Sequence, residues 1–114
     1  MMPPVQRFLF AFALTVVVEL LVAVPLLAAP PERKLGRRIA AVCVAQLATH
    51  PAVWFFWPLF GWPRPIYLLV AESFALVSEL LIYRLVLPGL PWARLLAASA
   101  LANGASVLMG AWLQ

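Results

Sequence analysis

Glu19, His50, Glu72, Glu79 and Asn103 are the residues of this 114-residue chain best placed to do chemistry, because each interrupts a long apolar run. Carboxyls and an imidazole exchange protons, and the same groups ligate divalent metals. The chain has four acidic residues, and only Glu32 falls in a connecting segment. An ionised side chain at the centre of a bilayer costs about 2.5 to 3.5 kcal/mol on insertion scales, so three such carboxyls in so short a chain point to a use.

The runs around them define the elements. The chain is 66% hydrophobic and 11% charged, with a mean hydropathy of +1.02. A soluble domain carries about 25% charged residues, so the composition describes an all-α integral membrane protein of a single four-helix domain, 1–114. Four apolar runs, 8–28, 39–60, 66–87 and 93–113, are each 21 or 22 residues long. About 20 residues of helix cross a hydrocarbon core. Short links such as PPERKLGRR, GWPRP and PGLPW join them, which makes successive helices antiparallel neighbours in a bundle. The single cysteine, Cys43, excludes an internal disulfide and any multi-cysteine metal motif. It reads as a small packing residue.

The net charge of +4 does not signal nucleic acid, because the basic residues are few and not interleaved with polar surface. They set topology instead. Arg33, Lys34, Arg37, Arg38, Arg84 and Arg94 fall at one end of the helices, and Arg7 and Arg64 at the other. This asymmetry places the first and third connections in the cytoplasm of a bacterial cell, with both termini on the non-cytoplasmic side of the cytoplasmic membrane. Trp57, Trp62, Tyr67 and Trp112 are then expected at the outer boundary, Tyr83 and Trp92 at the inner one, and the WFFW run at the lipid interface. The lipid bilayer is the first partner implied, with anionic headgroups beside RKLGRR. A homo-oligomer or a larger membrane complex is a second, since four helices are few to enclose a pathway. The first run does not read as a cleaved leader: Glu19 interrupts it, Leu27 stands where a small residue is required, and Pro30 follows Ala29.

Depth and face bring the polar residues together. Glu19 lies one residue from the middle of the first run, His50 and Asn103 lie at the middles of the second and fourth, and Glu72 and Glu79 straddle the middle of the third. Glu72 and Glu79 are two helical turns apart on one side. Thr15 with Glu19, and Gln46 with His50, share faces, and Ser99, Asn103, Ser106 and Gly110 form a small-residue stripe of the kind that lets membrane helices approach closely. Pro51 cannot donate to the carbonyl of Leu47, so a kink is expected beside His50.

No Lys or Arg shares the level of these carboxyls, so they must take up protons or bind a cation. Three readings follow. In the first, favoured if function follows the cluster, Glu19, His50, Glu72, Glu79 and Asn103 bind protons or a cation for ion-coupled transport. In the second they are hydrogen-bonding glue in a structural or assembly subunit. In the third, Glu19, His50, Glu72 and Glu79 hold one divalent metal such as Zn, Fe or Mn, or act as acid and base in an enzymatic site.

Two partial resemblances run alongside these readings. Chain length, four spans and the membrane-central Glu19 resemble the small multidrug resistance transporters, which implies proton exchange at that glutamate within an antiparallel dimer. The additional third-helix glutamates and the six-to-two charge asymmetry depart from that pattern. The stretch ELLIYR, from Glu79 to Arg84, is similar to the first motif of CAAX-protease-like intramembrane proteases, although Leu80 stands where that motif has its second glutamate and no histidine-bearing motif follows.

Overall fold

The computed structural model describes residues 3–28 and 34–113, and for 111–113 the backbone alone. Glu32, Arg33 and the side chain of Trp112 therefore lie outside the described residues. Four helices form: α1 over Pro4–Leu26, α2 over Leu35–Pro51, α3 over Arg64–Val86 and α4 over Trp92–Leu113. Beyond Pro51, α2 continues as a π-helical turn, Ala52–Phe56, and a 3-10 turn, Trp57–Phe60. Counting that extension, all four are long and apolar enough to cross a membrane.

Each helix starts before the apolar run that predicts it. Hydropathy marks only the part of a helix that avoids water, whereas the helix itself runs on until the backbone stops it. Proline within the first two positions starts α1 and α3, where its missing N–H costs nothing. Arg37 and Arg38 belong to the first turn of α2 rather than to a loop. The expected kink at Pro51 takes a particular form: the helix widens into the π turn, which absorbs the missing backbone bond without ending the element. Gly61, in the left-handed conformation at φ +67°, then reverses the chain, its N–H donating to the Pro58 carbonyl at 3.2 Å.

The helices pack in a ring in chain order, α1 touching α2 and α4, and α3 touching the same two. Long-range bonds establish the antiparallel arrangement. Arg38, at the start of α2, donates to the Val24 carbonyl near the end of α1 at 2.7 Å. Arg94, at the start of α4, donates to Leu26 and Ala28 at 3.0 Å each. Arg37 reaches Val86 at the end of α3 at 2.8 Å. At the opposite end the Tyr67 hydroxyl donates to the Val53 carbonyl at 2.7 Å. The carbonyl ends of α1 and α3 are the negative ends of their dipoles, so guanidinium groups are the natural caps there.

The bundle is asymmetric along its length. At the arginine-rich end Ala23, Leu27, Val42, Tyr83, Leu87, Leu90, Leu95 and Ala98 fill the interior with essentially no exposed surface. Alanine on every helix, Ala23, Ala45, Ala75 and Ala102 among them, permits close approach. Outside, Leu21, Leu69, Leu85 and Leu108 are at least two-thirds exposed. An apolar exterior around polar interior groups is the reverse of a soluble bundle. Tyr83 corrects an expectation, because its ring is fully buried in the core and not at an interfacial belt.

Candidate functional site

A cleft of about 390 Å³ runs between the helices in the half of the bundle away from the arginine-rich end. Its walls follow helical spacing. α1 contributes Ala11, Thr15 and Glu19; α3 contributes Arg64, Leu68, Glu72, Ala75 and Glu79; α4 contributes Asn103, Ser106, Val107 and Gly110; α2 and its extension contribute Gln46, Thr49, His50, Val53 and Trp54. Steps of three and four keep each set on one face. Arg64 and Glu79 are fifteen residues apart, so the cleft extends about 22 Å along α3. It is partly open to the outside, and at its inner end it stops at Glu19 and Glu79, where the closed core begins.

Glu79 is the hub. The Gln46 amide donates to its Oε2 at 3.1 Å. The Asn103 amide donates to its Oε1 at 3.0 Å, and the Ser99 hydroxyl to the same oxygen at 3.4 Å. Asn103 also donates to the Ser99 carbonyl one turn earlier, at 2.8 Å, which fixes its amide orientation. Three donors from α2 and α4 therefore converge on one carboxyl of α3.

Glu19, from α1, completes the set. Its side chain lies beside Glu79 and lines the same cleft, and its Oε1 meets no donor. Each of the two glutamates is 1% exposed. Two ionised carboxylates cannot bond to one another, because both are acceptors only; a proton between them turns the contact into a strong hydrogen bond. Glu79 already accepts from three side chains and is suited to the charged form. Glu19, whose Oε1 has no donor, is suited to carry the proton.

His50 and Glu72 do not join this network. They line the same cleft farther along it, Glu72 about 10 Å from Glu79 along α3. His50 is nearly buried and sits among aromatic rings, 5.3 Å from Phe8, 5.1 Å from Phe12 and 6.2 Å from Trp54 between centroids. Its Nε2 has no partner. Of the five residues, Glu79 and Asn103 are bonded with Glu19 beside them, while Glu72 and His50 stand apart along the cleft. Among the described residues no three His, Cys, Asp or Glu side chains come together to hold a metal ion, so Glu19, His50, Glu72 and Glu79 are not assembled as a coordination sphere for Zn, Fe or Mn.

Other residues take part that were not in the expected set. Gln46 and Ser99 are fully buried and bond Glu79 directly. Their signal was present in the spacing, one turn before His50 and one turn before Asn103. The Tyr83 hydroxyl lies beside Glu79 on the core side without meeting a partner in hydrogen-bond geometry. Arg84 turns away from the carboxyls, donating to the Pro88 and Leu90 carbonyls at 2.9 Å each and stacking 4.0 Å over the Trp92 ring. The WFFW run divides: Phe55 and Phe56 are about half exposed, whereas Trp54 and Trp57 turn inward to line cavities.

Fold and site together describe a four-helix, apolar-surfaced protein with a buried carboxyl pair at the end of a polar cleft. No protein-family model, curated protein or solved structure matches the chain.

Proposed function

We propose that this chain is an integral protein of a bacterial cytoplasmic membrane, with both termini on the non-cytoplasmic side, and that it couples proton binding to the movement of a small cation or polar solute. The observation that carries the reading is the juxtaposition of two buried carboxyls, Glu19 and Glu79, on one cleft. Two carboxyls share one buried site with no Lys or Arg of the cleft beside them, at the inner end of a channel-like space that reaches the opposite end of the bundle. A site of this kind holds one proton stably and exchanges it when a cation approaches or when the closed side opens. The packed residues from Tyr83 to Leu95 supply the barrier that keeps the two membrane faces from communicating at once.

The test is proton flux in liposomes containing the purified protein and an internal pH dye. A cation gradient imposed across wild-type vesicles should drive proton movement. Glu19→Gln should abolish it while leaving membrane insertion intact. Equal flux in wild type, Glu19→Gln and protein-free vesicles would remove the pair from any transport role.

A second reading is favoured by the hydrogen bonds themselves. Gln46, Ser99 and Asn103 tie α2 and α4 to α3 through Glu79, as polar glue in a structural or assembly subunit would. On that reading the substitutions lower thermal stability in detergent and change no flux.

A further inference from the structure

A second cavity, of about 540 Å³, adjoins the cleft mouth and shares Trp54, Arg64 and Leu68 with it. Trp57, Trp62 and Tyr67 form the rest of its aromatic wall. Its polar character is one-sided. Arg64 brings a guanidinium, the tryptophans bring indole N–H groups, and no carboxyl lines the space. The Trp57 N–H is buried without a partner. Indole nitrogen is a donor only, and guanidinium has donors only.

Arg64 and Arg7 are the two described arginines whose side chains make no hydrogen bond to the protein, and of the two only Arg64 lines this cavity. Arg37, Arg38, Arg84 and Arg94 spend their N–H groups on backbone carbonyls at the other end of the bundle, whereas Arg64 makes no such bond among the described residues. A cavity with a free cation, an unsatisfied donor and aromatic walls fits an anionic oxygen group attached to an apolar body. The residues that flank its lining in sequence are exposed and apolar: Leu59, Phe60, Ile66 and Leu69. A soluble anion has no use for that surface, but acyl chains do.

The geometry points to a lipid site: the phosphate of a phospholipid headgroup seated on Arg64 and Trp57, with its acyl chains along the apolar flank of α3. Because Trp54 and Arg64 belong to both cavities, a headgroup held there stands in the mouth of the cleft and controls access to Glu72 and the carboxyl pair. The inference rests on the reading of this chain as a membrane protein.

The experiment titrates detergent-purified full-length protein with short-chain phosphatidylglycerol below its micelle concentration and follows tryptophan fluorescence. Diacylglycerol of the same chain length and inorganic phosphate are the comparison probes. Saturable binding of the phospholipid is expected, weakened roughly tenfold in Arg64→Gln, the scale of one lost charge-assisted hydrogen bond. Trp57→Phe should weaken it by a smaller factor, and Arg94→Gln should leave it unchanged. Equal binding by diacylglycerol, or by Arg64→Gln, would overturn the phosphate site. Inorganic phosphate binding as tightly as the phospholipid would assign the cavity to a free anion and overturn the lipid. Resistance of the protein to extraction by alkaline carbonate checks the membrane reading separately, so failure of the one is not mistaken for failure of the other.

Discussion

Glu19 of α1 and Glu79 of α3 lie side by side across the diagonal of the helix ring, each almost wholly buried, Glu79 accepting from three side chains and Glu19 with its Oε1 unpartnered. That inequality gives the pair a direction. The carboxyl with donors is prepared for charge, and the one without is prepared for a proton.

Removing the hub should cost more than removing its neighbour. Glu79→Ala leaves the Gln46 amide and the Glu79-directed bond of Asn103 without acceptors in an apolar interior, at about 1 to 3 kcal/mol for a stranded group. Glu19→Ala strands only the contact with Glu79. Thermal unfolding in one detergent should therefore rank Glu79→Ala below Glu19→Ala, and the reverse order would mean that Glu19 is the structural member.

His50→Phe should be tolerated. The imidazole is enclosed by Phe8, Phe12 and Trp54, and its Nε2 has no partner to lose. A phenyl ring fills the same cage without a buried polar atom. Unfolding temperature should hold or rise. Loss of proton flux with unchanged stability would place the imidazole on the proton's path instead.

Tyr83 separates barrier from chemistry. Tyr83→Phe deletes a hydroxyl that is buried and unpartnered, so stability should change little. Tyr83→Ala opens a cavity in the closed half, with a loss of about 3 to 5 kcal/mol by analogy with other buried aromatic truncations. Vesicles bearing that variant should leak protons where wild type does not. Tight vesicles would show that the seal lies elsewhere.

Topology gives an independent check. A reporter inserted between Glu32 and Gly36 should be active only in its cytoplasmic form, given the basic residues gathered at that end. Activity on the opposite side would invert the cleft, so that it opened inward.

Much of the architecture was legible in the apolar runs, because a bilayer-length helix needs little beyond a stretch of about 20 apolar residues. The inward faces were legible too: the steps Thr15 to Glu19 and Ser99 to Asn103 to Ser106 do point into the interior. What sequence could not give was height. The middle of an apolar run is not the middle of a bundle, and helices that begin at Pro4 or Leu35 shift the level of everything they carry. Glu19 and Glu79 thus lie side by side, while His50 and Glu72 stand apart along the cleft. Tyr83 was misplaced for a related reason. An aromatic near a helix end resembles a belt residue until the tertiary packing decides which way the ring turns.

The most direct measurement is infrared spectroscopy of the reconstituted protein, read in the carbonyl band of protonated carboxylic acids at neutral pH. A shared proton predicts such a band in wild type, its loss in Glu19→Gln, a shift in Glu79→Gln and persistence in Glu72→Gln. A wild-type spectrum with no protonated carboxyl, or one that neither Glu19→Gln nor Glu79→Gln alters, would contradict the pair as the place where this protein holds its proton.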